Sequence, residues 1–364
     1  MSRVALVLIV AAVAVAVVPT PSPWVEQLYS QQVYLIWQRG VTSLSSLVGF
    51  SLLDPLLALL LFGGGFWWWR AIRRAREGER WRTSARMLLN TVGAGALFYL
   101  LFVSVWGLNY RREPLTAKLD YDQSDVNASS LSALSKQAVG QLNVLYDPAN
   151  RRRWPSFDEL PVRFTAAFNE AQQRLGAQRA AVAGRPKFTL LSAYFQRAGI
   201  DGMMNPFVLE VLVNDRVLSY ERPFLIAHEW AHLAGYANES EASFVGFLIC
   251  LAGDAQSQYS AWLFVLPQLV RHLPEPARAE IYADLGHGPR QHLAEVAARL
   301  RSAVPLVRLS ANRIYDQFLR ANRVSEGIAS YGLVVNLILG TSETDTWRGL
   351  LGRNGMISPV FRNP

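Results

Sequence analysis

A chain of 364 residues is long enough for a membrane-embedded part plus one sizeable water-exposed domain. Its residues are 51% hydrophobic and only 18% charged, which argues against a wholly soluble protein, and the lone Cys250 rules out an internal disulfide or a cysteine-built metal cluster. The net charge of +8 comes mostly from arginine, and the densest basic run adjoins apolar stretches, so it points to membrane topology and away from nucleic acid.

The apolar run that follows Met1-Ser2-Arg3 stops at Pro19, Pro21 and Pro23. It is short for a span; we read it as a retained anchor in preference to a cleaved signal peptide, because no small-residue cleavage site follows. Residues 24–45 mix Trp24, Tyr29, Tyr34 and Trp37 with polar side chains, the pattern of an amphipathic helix at the lipid–water boundary. A second span is predicted from Leu47 to Trp69, with Asp54-Pro55 suited to a helix start. Residues 70–86 carry seven arginines against Glu77 and Glu79, and short basic loops stay in the cytoplasm. A third span follows over Met87–Leu108. The expected arrangement is a multi-pass protein of the plasma membrane: cytoplasmic N-terminus, three crossings in residues 1–108, an extracytoplasmic domain over 109–340 and a tail over 341–364.

Beyond residue 109, helical spacing of Leu, Ala, Val and Phe predicts helices over 127–147 and 157–182. The β-branched and aromatic runs KFTLLSAYF and PFVLEVLVND, on either side of GIDGMMN, predict a small sheet, with 207–214 as an edge strand able to hold a substrate backbone. The fold class is therefore α+β, mostly helical. Next comes His228-Glu229-x-x-His232, in which residues four apart stack on one helical face, so both imidazoles can bind one Zn²⁺ while Glu229 reaches a water as general base. Gly235 can end that helix in a left-handed conformation, and Asn238 can cap a new one that opens with Glu239 and Glu241. Two histidines and one carboxylate leave a coordination position open for water. Glu239, on the same face as Ser243, is the preferred third ligand, with Glu241 as its supporting partner or alternate. An oxyanion donor is also required; Tyr331 is the first candidate and Tyr220 the second. His272, His287 and His292 read as surface histidines, and 310–339 as a helical pair broken by a Ser-x-Gly segment.

Several stretches together resemble a known family: VEQLYSQQVY, GFSLLD, LLFVSVWGLNYRREPL, GIDGMMNPFVLEVLVND, HEWAHLAGYANESEASF and YDQFLRANRVSEGIASYG. They are similar to the bacterial membrane proteins of the domain-of-unknown-function 3810 family, regarded as zinc peptidases. The resemblance implies a membrane-anchored zincin-like domain, with His228 and His232 as ligands, Glu229 as base and an acidic ligand from the Glu-x-Glu-Ala segment. The chain departs from that family where Gly49 replaces a usual proline and where Ser243 replaces a usual asparagine. Asn238 stands where metzincins place a third histidine, so the likeness is closer to glutamate-ligand zinc peptidases. The expected function is hydrolysis of peptide or protein substrates beside the bilayer. The alternatives are an anchored scaffold or sensor with a structural or inactive zinc, and an intramembrane-type protease.

Overall fold

The computed structural model describes residues 3–324, 327 and 332–341. Within them the chain is mostly helical, with one three-stranded sheet. The first helix, α1 (Arg3–Val17), is 15 residues long, about 22 Å, against an apolar layer of about 30 Å. It qualifies as a span only together with the next helix, α2 (Ser22–Ser46), from which it is bent by 108°. Two further helices, α3 (Leu53–Arg74) and α4 (Arg80–Val105), are each long and apolar enough to cross a membrane. Association with a membrane rests on these two spans, or three if the bent pair counts as one.

Helix α2 is more than a boundary helix. It buries a polar seam, Glu26, Ser30, Tyr34, Gln38 and Thr42, and leaves Leu28, Val33, Ile36 and Leu44 exposed. The seam is hydrogen-bonded into the domain: Tyr34 donates to the Leu233 carbonyl at 2.8 Å, Gln38 to that of Val182 and Thr42 to that of Leu209. Polar groups taken out of water need partners of this kind.

Two long helices follow, α5 (Ala128–Asn150), capped by the Asn127 side chain, and α6 (Leu160–Arg174). The sheet is smaller than predicted and differently composed. Of KFTLLSAYF only the first residue is strand, in β1 (Pro186–Lys187); its latter part is the helix α7 (Ser192–Ala198). The linking segment GIDGMMN contributes β2 (Gly202–Asn205), which pairs antiparallel with β3 (Glu210–Val213). The order is β1-β3-β2, so residues 207–214 supply the central strand and β2 is an edge. The expectation of an edge at 207–214 is thus corrected.

The core is built around α8 (Arg222–Leu233), α9 (Glu239–Leu251) and α10 (Ala255–Val270). Every residue of α9 is buried, as expected of a helix with no polar face. Helices α8 and α9 approach closely because Gly246 has no side chain: a Cβ there would lie 3.0 Å from the His228 amide nitrogen. The shell is completed by α11 (Glu275–Ala283), α12 (His287–Arg301), α13 (Pro305–Ala321) and α14 (Val334–Thr341).

Candidate metal centre

The two imidazoles come from consecutive turns of α8 and the carboxylate from the first turn of α9. Between the helices lies a tight reversal. Gly235 has φ +84°, and the Tyr236 amide reaches back to the Ala231 carbonyl at 3.1 Å, closing the left-handed C-terminal motif. Asn238 then caps α9 by accepting from the Ser240 amide at 2.9 Å. Both features were readable in the sequence, and together they return the chain so that Glu239 faces His228 and His232.

The three side chains converge. Nε2 of His228 and of His232 are 3.2 Å apart, and Oε2 of Glu239 lies 3.2 Å from the first and 3.4 Å from the second. Among the described residues these three form a group that could hold a metal ion. The rings are oriented from behind. His232 Nδ1 is 2.7 Å from the Tyr236 carbonyl, which can only accept, so Nδ1 carries a proton and a neutral ring turns its lone pair inward. His228 Nδ1 is 3.2 Å from the Ser243 hydroxyl. Serine at 243 therefore supports this histidine. The Trp106 indole donates to the His232 carbonyl at 3.1 Å.

Charge makes the same case. Three lone pairs meet in a buried space, and Glu239 Oε2 has no aligned hydrogen-bond donor. With no metal, a proton is the only cation available to the trio. Burial by itself would lower the pKa of His232, but the Glu239 carboxylate and, behind it, Glu229 override burial and push it up to about 9. Burial would raise Glu239, yet the two imidazoles hold it well below the usual carboxylate range. The residues present match a two-histidine, one-carboxylate site.

Glu229 is buried beside this group, its Oε2 without a partner. Burial raises its carboxyl above the ordinary value, against the pull of the two histidines and the Met204 amide of β2. The acid that neighbours the ligands thus also lies against the edge strand.

Glu241 does not join the trio. It accepts from the Leu115 amide at 2.7 Å and lies by a buried cluster in which Arg112 and Lys118 both pair with Glu26. Burial raises the Glu241 carboxyl despite these cations, whereas for Glu26 they outweigh burial and hold it at about 2. On a helix the two-residue step from Glu239 to Glu241 turns the side chain away, so Glu241 acts as an anchor for the segment after α4. Tyr220 is engaged elsewhere: its hydroxyl donates to Glu295 at 2.7 Å and its ring stacks on His292. His292 also meets the Tyr259 hydroxyl at 2.8 Å, so it packs among aromatic rings and is not a plain surface residue. Tyr331 lies outside the described residues. The residue missed was Tyr315 of α13, whose hydroxyl donates to Glu239 Oε1. Its one sequence signal is that it opens YDQFLRANRVSEGIASYG, among the stretches that carried the family likeness.

A family model described as "Protein of unknown function (DUF3810)" matches residues 29–339. The chain belongs to that family. The matched range takes in most of α2, the two long spans, the sheet and the residues of the candidate metal centre. No curated protein and no solved structure matches the chain.

Proposed function

We propose that this DUF3810 protein is a membrane-anchored zinc metallopeptidase with a zincin-like domain of the glutamate-ligand kind. The reading is carried by one observation: a His228–His232–Glu239 trio within 3.4 Å, with His232 and Glu239 buried, next to a buried Glu229 that is not among the ligands. Zn²⁺ held by the trio would supply a polarised carbonyl and an acidified water. The chain's own residues do the rest. Glu229 Oε2 takes the proton from the attacking water and returns it to the leaving amine nitrogen; its raised pKa suits a group that must hold a proton between the two steps. The β2 edge, whose Met204 amide lies against Glu229, offers backbone groups for an extended substrate. Among the described residues Tyr315, and not Tyr220, brings a tyrosine hydroxyl to the trio. Placing the seven arginines of 70–86 in the cytoplasm puts the domain outside the plasma membrane.

The rival reading, a structural or inactive zinc in an anchored scaffold, draws on that same Tyr315 hydroxyl, which sits on the third ligand. Metal content and hydrolysis of a mixed peptide library by the purified full chain separate the two. We expect one zinc per chain, lost in His228→Ala and Glu239→Ala. Glu229→Gln should keep the zinc and lose hydrolysis by about 10²–10⁴-fold. Full activity in Glu229→Gln removes its role; bound zinc without hydrolysis in the unmodified chain favours the rival.

A further inference from the structure

The helix that reaches over the metal centre is tied at both ends to the same level of the membrane-spanning helices. Helices α1 and α4 run parallel, Ala5 packing on Gly93 and the Arg111 guanidinium donating to the Val15 carbonyl at 2.7 Å. Helix α3 runs against α4, with Trp68 donating to Thr91 at 3.0 Å. Val17, Leu53 and Val105 therefore end their helices at one membrane face. Helix α13 spans the distance between them. Just before its first residue, the Val304 amide donates to the Arg197 carbonyl of α7, and the turn into α7 is held to the start of α3 by Asp54, which accepts from Thr189 Oγ1 at 2.6 Å and the Leu190 amide at 2.9 Å. Just past its last residue, Arg323 donates to the Ala16 and Val18 carbonyls at the end of α1. Phe318 packs on Phe102, inside the last turn of α4, with ring centroids 5.7 Å apart.

A helix pinned in this way lies along the membrane face, and its side chains suit that place. Leu306, Leu309, Ile314 and Phe318 are 75%, 55%, 68% and 36% exposed, while Arg308, Arg313 and Arg320 outnumber Asp316. Exposed apolar groups interspersed with arginines, whose long stems can carry the charge up to the headgroups, are what a lipid–water boundary takes. Phe318 fixes the height of α13, because its partner Phe102 lies in the last turn of the span. The turn after β2 reaches deeper. Phe207 packs edge-on against Phe98, two helical turns before the end of α4 and so about 10 Å into the apolar layer.

We propose that α13 lies in the lipid–water boundary of the bilayer that α3 and α4 cross, with Leu306, Leu309, Ile314 and Phe318 in lipid, and that the metal centre beneath it takes membrane-attached polypeptides at the segment next to the bilayer. The substrate half rests on the peptidase reading above; the lipid half does not. Tyr315 and Glu239 sit one residue from Ile314 and one hydrogen bond further in, and β2 runs between the metal helix and the Phe207 turn. A chain entering along the β2 edge would thus come from the membrane face.

Full-length protein in vesicles of phosphatidylcholine and phosphatidylglycerol tests both halves. An environment-sensitive fluorophore on Ile314→Cys should be quenched by spin-labelled lipid, and the same fluorophore on Lys136→Cys, on the exposed side of α5, should not; Cys250 is buried and stays unlabelled. Equal quenching at both sites, or none at Ile314→Cys, overturns the placement. A fluorogenic peptide library acylated onto the vesicles should be cut about tenfold or more faster than the same library in solution, from the local concentration of a shared surface. Equal rates overturn the substrate class. Cleavage of neither overturns the peptidase reading and the substrate class with it, while quenching still decides where α13 lies.

Discussion

Tyr315 and Ser243 hold the metal residues in place without joining the trio itself. Partners of this kind fix ring and carboxylate geometry, and removing one typically costs about 10–100-fold in metal affinity. Tyr315→Phe, which keeps the ring stacked on Phe318 and deletes the donor to Glu239, should therefore weaken zinc binding by about tenfold in a chelator-competition titration. Unchanged affinity would show that the hydroxyl is there for substrate instead. His232 adds a pH signature. Its folded-state pKa of about 9 stands above the ordinary 6.5, so its contribution to the metal-free fold is complete below pH 6.5 and is lost as pH rises through about 9. Zinc needs the neutral ring and displaces that proton. Across this window the chelated protein should lose thermal stability and the zinc-loaded protein should hold it, so the gap between their unfolding temperatures widens with pH. A gap that narrows between pH 6.5 and 9 would mean that the imidazole is not competing with the metal.

Element by element, what the sequence disclosed was whatever a local pattern can encode. The four-residue spacing of His228 and His232, the glycine stop at Gly235 and the Asn238 cap are set within a few residues and are found as read, while the two long spans are found with their bounds shifted, at Leu53–Arg74 and Arg80–Val105. Pairing across the chain is not local. A two-residue β1 and a four-residue β2 carry too little periodicity to mark which is the edge, so nothing local in GIDGMMN shows that it forms that edge. Helix α2 misled differently: a polar stripe looks the same whether it faces water or a buried partner, and here Tyr34 and Gln38 face the domain. Tyr315 was out of reach because its partner is 76 residues away. The junction of span and sheet is another non-local contact with an energetic consequence. Glu210 of β3 accepts from the Leu52 and Leu53 amides at the start of α3, and from Lys187 at 2.9 Å in a pair with no solvent contact. Removing one member of such a pair strands the other charge, so Lys187→Met should destabilise the protein by about 3–5 kcal/mol in denaturant unfolding of the detergent-solubilised chain. A loss below about 1 kcal/mol would mean that the two backbone amides and the Asn205 side chain, which donates to Oε1 at 3.1 Å, suffice to hold Glu210.

On the scale of the molecule, the spans and the domain form one continuous packing unit, which constrains how the protein can sit in a bilayer. The carbonyls of His232 and Leu233, at the end of the metal helix, are held by Trp106, one residue past α4, and by Tyr34 of α2. The metal centre therefore keeps a fixed position relative to the membrane face on which α1 and α4 end. Which face that is follows from charge. The turn between α3 and α4 lies at the opposite end, flanked by Arg70, Arg73, Arg74, Arg76, Arg80, Arg82 and Arg86, and moving such a loop across the membrane is strongly disfavoured. The turn should then be cytoplasmic and the metal centre extracytoplasmic. In intact cells, a membrane-impermeant thiol reagent should label Lys136→Cys, in the exposed part of α5, and leave Glu77→Cys untouched until the membrane is permeabilised. Cys250 is buried and adds no background. The reverse pattern would put the metal centre in the cytoplasm, and any membrane-attached substrate would then have to be sought on the cytoplasmic leaflet.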